Sequence, residues 1–234
     1  LDCHLLTNGV NAATGSGKGL NVSSATGARI LVRDTLFRGN RLILSFAGAF
    51  GNGCGANISG CAGASFERCD FIGNGLPLLK AEDGENSGNP QSGSAAGFAL
   101  YSTVPVTAIN CRFLANFGNS NNNDGAVRLE SGALGSAFTN CLFAANAERS
   151  IWDGGASRLK TGGALVVNLT DAAGKVAVEN CTFAYNLQDG NGAASGLTIL
   201  KGSVTVKNSI FYGNILGEHS QTRARDLLVK SGAS

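Results

Sequence analysis

The chain is poor in most of what common folds and sites use. Of its 234 residues none is methionine, one is tryptophan and two are histidine. Charged residues make up 15% and the formal net charge is +2. So little charge, with no basic stripe and no interleaved aromatics, excludes nucleic acid or an acidic polymer as an obligatory partner. No apolar run approaches the roughly 18 residues of a spanning helix, which argues against direct membrane insertion. There is no CxxC and no His/Cys cluster, so zinc is not expected. AEDGENSG (81–88) lacks the regular acidic spacing of a calcium loop, and no cofactor is expected. No segment sustains an apolar 3.6-residue period, and 34 glycines would weaken any helix. The chain carries neither an initiator methionine nor a signal peptide, which a mature or excised segment explains.

What is abundant is repetition. DTLFRGN (34–40), RCDFIGN (68–74), NCRFLAN (110–116), NCLFAAN (140–146), NCTFAYN (180–186) and NSIFYGN (208–214) share one pattern. DCHLLTN (2–8) fits it with Leu5 in place of Phe. The spacings are 32, 34, 42, 30, 40 and 28 residues. A period of this size with variable insertions is the mark of a solenoid. Upstream of each core the residues alternate, as in Val176-Ala177-Val178-Glu179, and farther upstream stands a glycine-led stretch such as TGGALVV (161–167). Period two with β-branched residues predicts short strands. The expected fold is all-β: a parallel β-helix of about seven coils, one domain over 1–234, with long loops on one side.

The columns acquire physical roles. Phe37, Phe71, Phe113, Phe143, Phe183 and Phe211 would stack in the core, each contributing roughly 1.5–3 kcal/mol by burial. Cys3, Cys69, Cys111, Cys141 and Cys181 stand two residues earlier and face the same way. Thr35 and Ser209 share that column, so it asks for a small residue and not for a thiol. Asn40, Asn74, Asn116, Asn146, Asn186 and Asn214 mark the bend after each Phe strand and can bond from coil to coil. A second asparagine column, Asn110, Asn140, Asn180 and Asn208, marks the bend before it. His4 lies between Cys3 and Leu5 and should point outward.

Six FxxN tetrapeptides, one intact GGAL (162–165) and variants such as DGAV (124–127) resemble the repeats of the polymorphic outer-membrane-protein family. The resemblance covers nearly the whole chain. It implies a right-handed β-helix, a surface-exposed or secreted location, and an adhesive role in many members. The same helix type is shared with pectate-lyase-like enzymes, so fold does not select function.

The chain begins inside a Phe strand and ends in the first strand of a further coil, without a visible amphipathic cap. Flanking coils of the same chain, or neighbouring subunits, are the expected cover. Of the two cysteines outside the column, Cys54 and Cys61, a disulfide and a pair of thiols fit equally well. The long connections 75–95, 147–161 and 215–225 are where chemistry would sit. Arg158, Lys160 and His219 could supply a base and a cation for lyase chemistry, and Glu148 with Asp153 a carboxylate pair. Trp152, with Arg149 and Arg158, is the candidate binding group, although the preferred reading of Trp152 is that it packs its own loop onto the helix wall. No motif joins these residues. The leading expectation is therefore a non-enzymatic extracellular scaffold or adhesive surface, with a polysaccharide or host glycan as candidate partner. The alternatives are a polysaccharide lyase or glycoside hydrolase, and a subunit that self-assembles through open coil ends.

Overall fold

A computed structural model describes residues 3–6, 9–10, 19–42, 54–75, 99–118, 125–148, 163–171, 173–188, 194–217, 225–230 and 233. The alternation seen in the sequence produces strands with one buried face. In Lys175–Glu179, Val176 and Val178 are buried and Ala177 between them is not. No helix occurs among the described residues, and every strand pairing is parallel. The chain is a parallel β-helix.

Each coil visits three sheets in turn. The glycine-led sheet stacks seven strands, Leu20–Val22, Ala56–Ile58, Leu100–Ser102, Gly125–Ser131, Gly163–Leu169, Leu197–Lys201 and Leu227–Val229. The middle sheet stacks six, from Arg29–Arg33 to Ser203–Lys207. The phenylalanine sheet stacks seven, from Cys3–Leu6 to Ile210–Tyr212. A short fourth sheet follows the asparagine bend in four coils, from Phe117–Gly118 to Ile215–Leu216. Equivalent residues stand above one another: Phe37 on Phe71, Phe113, Phe143, Phe183 and Phe211. Their rings stack with centroids 4.4–4.9 Å apart and planes within 10°. Phe66 and Phe138, from the middle sheet, meet this stack edge-on.

The asparagine column is a closed hydrogen-bond ladder. Nδ2 of Asn40, Asn74, Asn116, Asn146 and Asn186 donates to Oδ1 of the next asparagine at 2.9–3.0 Å. The backbone N–H of each of these residues donates to the same oxygen at 3.0–3.1 Å. From Asn74 onward, Nδ2 also donates to the carbonyl of the phenylalanine one coil below. Both amide protons and both lone pairs are then used along the ladder. At its upper end Asn214 Nδ2 donates to Asp226 Oδ1 at 2.9 Å. Asp226 precedes the strand Leu227–Val229, at a place held by Gly or Ala in the coils below, and its carboxylate accepts the side-chain bond that a further asparagine would accept.

The bends refine the expectation for both asparagine columns. The left-handed residue after each Phe strand is not the ladder asparagine but the residue before it: Gly39, Gly73, Ala115, Ala145, Tyr185 and Gly213. The ladder asparagine satisfies backbone groups there. The second column does carry the left-handed turn itself, at Asn110, Asn140, Asn180 and Asn208, with Asp34 and Arg68 in the lower coils. Asparagine is the side chain that most readily tolerates this region. The small column also has a sharper rule than size. Cys69, Cys111, Cys141 and Cys181 donate Sγ–H to the carbonyl two residues back at 3.3–3.4 Å. Thr35 and Ser209 do the same through oxygen at 2.7 and 2.8 Å. The column holds a small side chain with a proton to donate.

Replacing one rung should therefore cost far more than replacing a bend residue. Asn116→Ala removes the acceptor of two Asn74 donors and the side-chain donor to the Phe71 carbonyl, and is expected to destabilise by about 2–4 kcal/mol. Asn110→Gly, at an exposed left-handed position, should stay within about 0.5 kcal/mol. Equilibrium denaturation of the two variants beside the parent checks the contrast; equal losses would refute the division of roles.

Candidate functional site

The sequence places its candidate catalytic and binding residues in connections before the glycine-led strands. Arg149, Trp152, Asp153, Arg158, Lys160 and His219 lie outside the described residues. Glu148 ends the strand Ala147–Glu148 and is aligned with Gln188 of the next coil; its side chain is likewise outside the description. Cys54 and Cys61 are not joined by a disulfide. Cys54 is buried, whereas the Cys61 thiol points to the Gly63 carbonyl at 3.8 Å.

The polar group that the structure does assemble was not among those candidates. In Gly125–Ser131, Val127 and Leu129 enter the core, so Arg128 and Glu130 share the outward face. Arg128 Nε donates to Glu130 Oε1 at 2.5 Å. Asn168, from the next coil, donates Nδ2 to both Glu130 oxygens at 3.2 and 2.9 Å. The two charged side chains are only 9% and 16% exposed. Tyr101 stands beside Arg128 in the same outward column, with Asn57 and Asn21 below it, where Asn57 Nδ2 donates to Asn21 Oδ1 at 2.8 Å. Val166 and Thr198 continue the column upward and are fully buried. This outward stripe is thus shielded from solvent over its central coils. Burial raises the pKa of the Tyr101 phenol above its usual range; the Glu130 charge adds to the rise and Arg128 partly offsets it. The signal for this group was in the strand pattern: positions two apart in a buried strand must share a face.

A carboxylate held by a guanidinium and a neighbouring amide has its acceptor sites occupied. Glu130 so placed builds the wall and is poorly suited to take a proton from a substrate. The sulfur row is equally structural. Hydrogen bonding with Cys111, then burial, pushes the Cys69 thiol far up; contacts with Cys111 and Cys181, then burial, do so at Cys141. Hydrogen bonding with Cys141, then with Cys69, draws the Cys111 thiol down, and hydrogen bonding with Cys141 lowers Cys181. All four sulfurs lie in the core, out of reach of solvent, which is not the setting of a nucleophile. No three of His, Cys, Asp and Glu converge as a metal site among the described residues. One polar side chain stands apart: Gln188, in Leu187–Gln188, is fully buried and neither its Nε2 nor its Oε1 has a hydrogen-bond partner.

No protein-family model, no curated protein and no solved structure matches the chain.

Two outcomes follow from the electrostatics and the orphan amide. Gln188→Leu removes two unsatisfied polar atoms and is expected to raise stability by about 1–2 kcal/mol. A loss in thermal or chemical denaturation would instead mean that the amide holds a buried water or ligand. The raised phenol of Tyr101 gives stability that is complete below the pKa of an unfolded tyrosine, near about 10, and that falls as pH rises through the folded value. Tyr101→Phe should flatten the alkaline limb of a stability–pH profile; an unchanged limb would show that Tyr101 is not its source.

Proposed function

We propose that the chain is a non-enzymatic β-helix segment that serves as a rigid scaffold or adhesive surface in an extracellular or cell-surface assembly. One observation carries this reading: the repeated side chains are consumed in building the helix. The Phe, Cys and Asn columns are buried and internally bonded, and the polar cluster at Arg128 and Glu130 closes on itself. The low charge and the resemblance of the GGAL and FxxN motifs to surface-protein repeats point the same way. A polysaccharide, or a glycan of a host or cell surface, is the partner class this reading favours. End-to-end assembly is less favoured, because Asp226 already accepts the side-chain bond that a further asparagine would accept.

The second reading, a polysaccharide lyase or hydrolase, draws on Arg158, Lys160, His219, Glu148 and Asp153. One set of samples separates the two. The purified chain is incubated with acidic and neutral polysaccharides, and retention and chain cleavage are read together. Retention without cleavage is expected. Cleavage that disappears in Arg158→Ala or His219→Ala would overturn the non-enzymatic reading. Protease treatment of intact source cells should release the segment; its confinement to the cytoplasmic fraction would end the extracellular assignment.

A further inference from the structure

The outer face of the phenylalanine sheet changes character along the helix. Its lower coils are charged: Arg68 pairs with Asp34 at the bend, and Arg112 pairs with Asp70 on the face itself. From the coil of Leu142–Ala144 upward, the outward residues are Leu142, Thr182 and Ile210 in one column and Ala144, Ala184 and Tyr212 in the next. None carries a charge. The strip is bordered on one side by the exposed amides of Asn140, Asn180 and Asn208. On the other side stands Tyr185.

Tyr185 breaks the rule of its column. Its φ is 55°, and the other members of that left-handed column are Gly39, Gly73, Ala115, Ala145 and Gly213. A bulky residue in this region is strained, and such strain persists where something else depends on it. The coil above makes room for the ring: a Cβ at Gly213 would lie 2.8 Å from Cδ1 and Cε1 of Tyr185. Tyr212 meets Tyr185 edge to face, with centroids 5.4 Å apart and planes at 84°. The two residues are 57% and 61% exposed. The protein thus holds two large rings at right angles in solvent, beside an uncharged strip and a row of exposed asparagines.

We propose that Tyr185 and Tyr212 form a corner that binds a neutral carbohydrate chain. The proposal rests on the adhesive reading and names its ligand. A pyranose ring stacks its C–H face on one tyrosine and abuts the other, and its hydroxyls reach the phenol oxygens and the Asn180 and Asn208 amides. The uncharged strand face lets the chain lie along the sheet. The lack of any cation on the strip selects against a uronate, whose carboxylate would be desolvated without a partner.

The protein's own coils supply the test variants. Alanine already occupies the Tyr185 column at Ala115 and Ala145, and the Tyr212 column at Ala144 and Ala184, so Tyr185→Ala and Tyr212→Ala should both fold. Calorimetric titration uses soluble glucan and mannan oligosaccharides as neutral probes and polygalacturonate oligosaccharides as the acidic one. The expected result is binding of a neutral probe, weakened at least tenfold in either variant, with the thermal midpoint unchanged or raised in Tyr185→Ala. Neutral binding that both variants retain would overturn the corner while leaving the adhesive reading in place. Binding of polygalacturonate alone, or of no probe, would overturn the neutral-carbohydrate assignment; a protein captured through the two tyrosines would overturn it in favour of a protein interface. Cleavage of a neutral probe would overturn the non-enzymatic reading, and the tyrosine variants would still report whether the corner binds.

Discussion

The asparagine that follows each phenylalanine strand is the contact on which the coil depends. The backbone turns there through a left-handed residue at the surface, and the asparagine that follows it is buried, where a bare N–H or C=O has no water to meet. Each unmatched group would cost about 1–3 kcal/mol. One buried carboxamide answers several of them at once, joining the backbone of its own coil to the coil above and the coil below. The ladder also explains how the repeat length can vary from 28 to 42 residues without disturbing the stack. Register is reset at every coil by an oxygen that must meet two donors from one asparagine. Whatever chain is inserted before the next glycine-led strand leaves that meeting unchanged.

Parallel stacking in register then dictates the other columns. Every side chain lies over its own counterpart at the strand spacing of about 4.8 Å. The phenylalanine rings stack face to face because that spacing leaves them little choice, although isolated aromatic pairs favour offset or edge contacts. Phe66 and Phe138 supply the edge contacts from the next wall. The glycine-led column is small for a related reason: a Cβ on Gly196 would stand 2.4 Å from the Asp226 carbonyl and 3.0 Å from the ring of Phe211. Phenylalanine and the small column are therefore one constraint seen from two walls.

Most of this was legible because repetition turns a weak signal into a column. The Phe stack, the two asparagine bends and the glycine-led strands could be read from their recurrence. What occurs in only one or two coils was not legible that way. Phe66 and Phe138 fill the core from the middle sheet in two coils and leave no periodic trace. The proton-donating rule of the Cys, Thr and Ser column was visible in principle, since those three side chains share a donor and little else. Arg128 and Glu130 follow from strand alternation, but the DGAV motif (124–127) ends before them and marks the strand without marking its outward face. The left-handed residue before each ladder asparagine was hidden because Gly and Ala there look like filler. Gln188 could not have been found, since only packing shows that its amide is buried without a partner.

Function in such a helix belongs to departures on the outer face. The inner columns admit few residue types, and a change there is felt by the coils above and below. The outer columns are under no such rule, so a costly choice there calls for a cause of its own. Arg128 with Glu130 is one departure: two charges are drawn out of water, and the pair is tied off by Asn168 within the protein. Its cause is internal, the joining of neighbouring coils beneath a shielded surface. Among the described residues Tyr185 with Tyr212 is another, and its return within the stack is the one edge-to-face contact between the two rings. Alanine turns the same bend in two other coils, and the exposed rings return little burial for the strain they carry. A cost that folding does not recover is accounted for by a contact outside the protein.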